Sequence, residues 1–259
     1  MTARSKQASK KVAGPKTLAI DIGGTGLKAA LLDAAGALIG ERVRVDTPYP
    51  CPPPRMVEEL TALVKPLAGY QRISVGFPGV VRKGLVLSAP HFVTHKGPGT
   101  RIEPELVEAW ARFDLASALE KKLGKPVRTA NDADLQGSAV VRGAGLELVV
   151  TLGTGVGTAL FLDGHLAPHL ELAHHPLHKH ATYNAYLGDA ARKKLGKKGW
   201  NKRVRFMLET LTALILPDWI YLGGGNSRHV TLALPPHVTL TDNVAGLTGG
   251  IKLWSMRTP

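Results

Sequence analysis

Asp21-Ile-Gly-Gly-Thr-Gly-Leu-Lys28 joins two short apolar runs, Thr17 to Asp21 and Leu27 to Asp33, and reads as a glycine-rich turn inside a strand-turn-strand unit. Glycines there let backbone N–H groups approach an anion closely. Thr25 adds a hydroxyl donor, and Asp21 a carboxylate able to hold hydrated Mg²⁺. Lys28 is either a phosphate partner or a solvated strand residue. Taken alone, Gly23, Gly24 and Thr25 fit a plain hairpin turn as well as a phosphate grip. A second copy, Leu152-Gly153-Thr154-Gly155-Val156-Gly157, follows another apolar strand, and the recurrence favours the grip. Neither copy is a Walker loop, because no Gly-Lys-Ser/Thr follows a four-residue spacer. One turn in each half predicts duplicated α/β halves around a cleft.

Outward from the first turn, Ala37 to Val45 alternates as a third strand, completing an antiparallel meander. The proline-rich stretch Pro48 to Pro54 leads into a predicted helix over Arg55–Leu67, and Arg72 to Phe77 is the next strand. Ser88 to Glu103 is a long His-, Gly- and Pro-rich loop, of a length that is usually functional or mobile. A helix is predicted over Ala109–Leu123, stopped by Gly124, then a strand at Val127–Ala130 and a helix opening at Asn131-Asp132. Strands at Val149–Leu152 and Thr158–Leu162 flank the second turn. A buried helix over Val204–Leu216, a strand Trp219–Leu222 ending in Gly223-Gly224-Gly225, and a short helix over Asn243–Trp254 complete the chain.

The 259 residues are 44% apolar and 20% charged, which excludes wholesale disorder and leaves ample length for a core. The single cysteine, Cys51, excludes an internal disulfide and a thiolate-rich metal site, so a reducing, cytoplasmic setting is expected. No apolar run reaches the roughly 18 residues of a membrane span, and residues 1–16 lack the apolar core of a secretory signal. They read instead as a disordered basic tail. The formal net charge is +13, and two acid-free segments carry all of it: residues 1–16 with five Lys/Arg, and 192–205 with eight. Localised positive charge attracts polyanions.

The sequence resembles the ROK family of sugar kinases, within the actin-like ATPase and hexokinase superfamily, and its polyphosphate glucokinase branch in particular. The matching pieces are the two glycine turns, Gly40-Glu-Arg-Val-Arg with Thr47-Pro48 after it, Val75-Gly-Phe-Pro-Gly-Val-Val81, Asn131-Asp-Ala-Asp134, Glu171-Leu-Ala-His174 and Leu222-Gly-Gly-Gly225. They follow the family's order from Thr17 to Trp254.

The resemblance implies a two-domain ribonuclease H-like α/β fold with a cleft between domains. The expected division is a domain over 17–130, a second over 131–242, and a helix over 243–259 packing back on the first. It implies transfer of a phosphoryl group from polyphosphate, ATP or both to the 6-hydroxyl of glucose, with mannose as a further acceptor. Asp132 matches the general base; in isolation it or Asn131 reads as a cap of the following helix, but set between two glycine turns the base is favoured, and Asp134 reads as a first-turn acid facing the helix dipole. Asn131, Glu171 and His174 match sugar-binding positions, with Ala173 in place of the family's glycine. Gly223, Gly224 and Gly225 match a nucleotide seat, or simply end a strand. Six of the ten histidines lie between His165 and His180, but without nearby cysteines no structural zinc is expected. Mg²⁺ is the implied cofactor and a homodimer the implied assembly, with no specific nucleic acid and no membrane as partner. An ATP-only hexose kinase is the alternative, and a non-catalytic sugar-binding regulator a more distant one.

Overall fold

The computed structural model describes residues 14–241 and 248–257. Most of the expected 1–16 tail lies outside them, but Lys16 pairs with Gln71: its N–H donates to Gln71 Oε1 at 2.6 Å and its carbonyl accepts from the Gln71 N–H at 3.0 Å. Strands β1 (Thr17–Ile22), β2 (Leu27–Leu32) and β3 (Leu38–Val45) form the predicted meander, as connections this short can join only antiparallel neighbours. Helix α1 (Pro53–Val64) starts two residues before the expected position because Pro53 and Pro54 take its first helical positions, where a missing N–H costs nothing. It crosses over to β4 (Arg72–Phe77), which lies parallel to β1.

A small ribbon of β5 (Val81–Arg82), β6 (Leu85–Val86) and β7 (Phe113–Asp114) follows. The single helix expected over 109–123 is two, α2 (Pro104–Trp110) and α3 (Leu115–Leu123). Between them Arg112 adopts φ 58°, and the Asp114 carboxylate accepts from the Ser117 N–H at 2.9 Å, so an N-cap interrupts the apolar periodicity. β8 (Val127–Asn131) then joins β4 in parallel, closing a sheet of order β3-β2-β1-β4-β8.

After α4 (Asp132–Ser138) the plan repeats. β9 (Leu146–Leu152), β10 (Val156–Leu162) and β11 (His165–Leu166) are antiparallel, whereas β14 (Trp219–Gly223) and β15 (Val238–Leu240) are parallel additions, in the order β11-β10-β9-β14-β15. A hairpin of β12 (Pro176–His178) and β13 (Ala181–Thr182) leads into α5 (Tyr183–Leu187). The expected buried helix over 204–216 belongs to a longer element, α6 (Asp189–Ile215), broken at Gly196 with φ 67° and ψ 176°. The basic stretch 192–205 is therefore helical on either side of Gly196. Only one stripe of α6 is buried, including Trp200, Val204, Met207 and Leu211, while Leu214 stands 65% exposed.

Alternation builds the cores. Leu18, Ile20 and Ile22 face α1 and α3, while Ala19 and Ala30 on the opposite face of the sheet pack against Ile251. In the second half Leu148, Val150 and Leu152 meet the buried stripe of α6. Of the helix expected over 243–254, residues 243–247 lie outside the described residues, and Gly249–Trp254 is a 3-10 turn. It docks on the first sheet: Ser74 Oγ donates to the Gly250 carbonyl at 2.6 Å and Trp254 Nε1 to Ser74 Oγ at 2.9 Å. Gly249 is so close to α4 that a Cβ would overlap the Leu135 carbonyl oxygen, a backbone atom that cannot swing aside. Gly249→Ala is expected to destabilise the chain by roughly 1–3 kcal/mol through overpacking, read as a lower denaturant midpoint at unchanged slope.

Candidate active site

β1, β4 and β8 are parallel, with Asp21 beside Gly76 and Gly76 beside Ala130, so their carboxyl ends form one edge. Ligands collect at such edges. Asp21 emerges from the end of β1, and the antiparallel register sets Lys28 directly opposite, which explains their 3.1 Å ion pair. Asp132 opens α4 immediately after β8. Gly76 lies between Asp21 and Asp132 along the edge and lets α4 pack close against β4: a Cβ there would meet Leu135 at 3.3 Å and the Asp132 Cα at 3.6 Å.

A cavity of about 550 Å³ opens between the two halves. Asp132 lines it together with Lys28 and Gly79 from the first half and with Gly153, Thr154 and Gly155 from the second. Glu171, His174, Gly224 and Gly225 also face it. Both glycine bends are braced by protein donors. Gly23 and Gly24 carbonyls accept from Thr47 Oγ1 at 2.6 Å and the Tyr49 hydroxyl at 2.7 Å; the Gly153 carbonyl accepts from Asn226 Nδ2 at 2.9 Å. Burial raises the Asp132 carboxyl to about 7, with the Asp21 charge adding to the rise and a hydrogen bond from the Ala133 N–H opposing it.

The family model for the ROK family matches residues 17–180. The chain belongs to the ROK family. A polyphosphate glucokinase of Mycobacterium tuberculosis (strain CDC 1551 / Oshkosh) is 30% identical over 245 residues, covering 89% of this chain and 88% of that one. An inorganic polyphosphate/ATP-glucomannokinase from Arthrobacter sp. strain KM superposes with a TM-score of 0.76 at 29% identity, over 93% of this chain and 99% of its own. A ROK family glucokinase from Streptomyces griseus, solved with glucose and AMPPNP, gives 0.68 at 20% identity, over 92% and 98%. The fold is the actin-like one of these ROK kinases.

Within this ROK chain the remaining candidates divide. Gly23, Gly24, Thr25 and Asp21 stand behind the cavity lining: Gly24 packs so tightly on His91 that a Cβ would overlap its ring. Gly223 is the last residue of β14 and pairs with Thr151, leaving Gly224 and Gly225 at the cavity. Asn131 borders the cavity, yet its side chain already has protein partners. Its Oδ1 accepts from the Ala133 and Asp134 N–H groups at 2.8 and 3.3 Å, and its Nδ2 donates to the Gly79 carbonyl at 3.0 Å. It therefore caps α4 and ties the Phe77–Gly79 turn to the helix that presents Asp132. Asp134, expected to serve the helix dipole, is buried and bonded to His169 Nδ1 at 3.0 Å.

Sequence reasoning passed over two cavity residues, His169 and His91. His91 belongs to the long loop, which Phe92 anchors among Phe77 and Trp110; its buried Nδ1 has no protein partner among the described residues. Burial lowers the His91 pKa, and the nearby His174 adds to that effect. The histidine density of 165–180 and the composition of 88–103 are signals of a site, but spacing alone does not say which ring reaches it.

Asp21 offers hard carboxylate oxygen, the donor chemistry Mg²⁺ prefers. Among the described residues no three His, Cys, Asp or Glu side chains converge to cage a metal, so such an ion would depend on this carboxylate together with phosphate oxygens and water. The raised Asp132 carboxyl also couples to stability. The native state keeps its proton up to about 7, whereas the unfolded chain releases it near the ordinary value of 3.8, so this group's contribution is full at low pH and lost as pH rises between those values. The melting temperature of Asp132→Asn should accordingly gain on the wild type from about pH 4 to 7, as measured by paired thermal scans.

Proposed function

We propose that this chain is a sugar kinase that moves the terminal phosphoryl group of inorganic polyphosphate, with ATP as a second donor, onto the 6-hydroxyl of glucose, and also accepts mannose. The observation that carries the reading is Asp132: a carboxyl with pKa raised to about 7 on a cavity shared with a glycine bend and with Glu171 and His174. A base near neutrality can take a hydroxyl proton without being permanently protonated or too weak to act. In the proposed step Asp132 accepts the proton from O6, the O6–P bond forms, and the bond from phosphorus to the departing phosphate oxygen breaks. Lys28 and the backbone N–H groups of Thr154 and Gly155, all on the cavity, take up charge on the phosphoryl oxygens, while the hairpin through Gly23–Thr25 sets Lys28 opposite Asp21. Asp21 would hold Mg²⁺, which supplies charge neutralisation on the donor phosphates. Glu171 accepts hydrogen bonds from sugar hydroxyls, His174 faces the same cavity, and Asn131 keeps Asp132 aimed.

The donor preference rests on α6. Lys197, Lys198, Lys202 and Arg205 line a groove of about 480 Å³ to which no acid contributes among the described residues. Its wall is linked to the cleft through hydrogen bonds. Asn201 donates to the His229 carbonyl at 2.9 Å and accepts from the Thr231 N–H at 2.7 Å, and the same segment begins at Asn226, which holds the Gly153 carbonyl. A long polyanion gains from several such cations where a nucleotide triphosphate, once seated, does not. Arg192 and Lys193 are less available, since both pair with Asp189.

Glucose 6-phosphate formation with each donor as sole phosphoryl source tests the reading. Asp132→Asn is expected to lose about 10³-fold or more in kcat, and the wild-type rate should climb with pH through about 7 as Asp132 ionises. A mutant with wild-type turnover removes Asp132 from the mechanism. The Lys198→Glu/Lys202→Glu variant should raise the polyphosphate KM about tenfold at low salt and move the ATP KM far less; equal effects on both donors, or activity confined to ATP and indifferent to salt, overturns the donor assignment.

A further inference from the structure

Asp134 is 2% exposed, and an isolated buried carboxylate is costly unless something compensates it. The compensation comes from His169, whose side chain is 4% exposed. Its Nδ1 lies 3.0 Å from Asp134 Oδ1, and its Nε2 lies 3.5 Å from Glu171 Oε2. The imidazole thus stands between two carboxylates, one on α4 and the other in the segment that follows β11. Among the described residues His169 is the only side chain within ion-pair reach of Glu171, whose carboxylate makes no cap to the 3-10 turn Leu172–His174. The backbone just before Glu171 is held as well, the Leu170 carbonyl accepting from Thr158 Oγ1 at 2.7 Å.

His169 also forms a partition. One side of it lines the 550 Å³ cleft, and the other lines a separate cavity of about 220 Å³ that Asp134 and Arg128 border. From this geometry we propose that His169, anchored by Asp134, is a positioning residue that holds the Glu171 carboxylate in the orientation that receives the sugar hydroxyls. The inference rests on the reading of Glu171 as a sugar ligand. It adds that sugar affinity in this chain depends on an imidazole that does not itself perform the transfer.

The charges agree with the geometry. Burial opposes charging of His169, but hydrogen bonds and charge from Asp134 and Glu171 outweigh it and raise its pKa to about 10. Glu171 is lowered, first by its contact with His169, with His174 and His91 adding smaller effects in the same direction. Burial raises Asp134, and the His169 contact works against that rise. Besides His174 and His91, Asp132, also on α4, faces this cluster and feels the Asp134 and Glu171 charges. An imidazolium here hydrogen-bonds Asp134 through Nδ1, which fixes the plane of the ring, and holds its second N–H and its charge toward Glu171 Oε2 at 3.5 Å.

Three readings together test the proposal, with glucose as the probe. His169→Gln should raise the glucose KM about tenfold, the size of a lost charge-assisted contact, while kcat falls by a smaller factor. Combined with Glu171→Gln, the double variant should be no worse in KM than Glu171→Gln alone, because both changes remove one interaction. In the unmutated protein, nitrogen-15 spectra of the imidazole should show both ring nitrogens protonated at about pH 8, a measurement that needs no variant to fold. A His169→Gln protein with wild-type melting and unchanged glucose KM overturns the inference, as do additive effects in the double variant or a neutral His169 ring at that pH. If Glu171→Gln leaves the KM unchanged, the sugar-ligand reading itself fails and takes the positioning role with it; unchanged KM in His169→Gln alone leaves that reading standing.

Discussion

The enclosure of one carboxyl group governs the rest of this structure. Asp132 follows a parallel strand of the first sheet and begins a helix, so its backbone is held by β8 on one side and by the Asn131 cap on the other. Crowding by protein and by the Asp21 carboxylate makes its ionised form costly, and that cost is what places its proton exchange near neutrality. A better solvated Asp132 would lose its proton well below neutrality, and the proposed role as base needs both that raised affinity and access to the cavity. The absence of a Cβ at Gly76, the Asn131–Gly79 bond and the docking of the Gly249–Trp254 turn on α4 all serve to hold that carboxyl at the cavity.

Around it the charges are sorted by location. Asp21, Asp132, Asp134 and Glu171 cluster about the cleft; Lys28 answers the first of them, and His169 the last two. The cations that line a groove to which no acid contributes among the described residues lie along α6. This layout is the one the proposed transfer needs, because the carboxylates of the cleft and the cations along α6 do not neutralise each other. The repeated strand order supplies the symmetry: each sheet contributes one glycine bend from its first hairpin.

The local units were legible in the order of residues. Apolar runs separated by glycine turns could form only short antiparallel strands, and the Asn131-Asp132 step after a strand could only begin a helix with its acid at the N-terminus, for reasons of hydrogen bonding within a few residues. The family order of motifs carried the fold with it. Where the apolar spacing ran on without a visible break, as across Arg112–Asp114, periodicity joined two helices that a capping carboxylate separates. Which charged groups meet was settled by packing instead. Asp134 and His169 are 35 positions apart, and Asn201 and Thr231 are 30 apart. Their partnership follows from the packing of α4 against β10 and of the segment after β14 against α6, since a buried charge or amide takes whatever partner the fold brings within reach, and no local pattern records that choice.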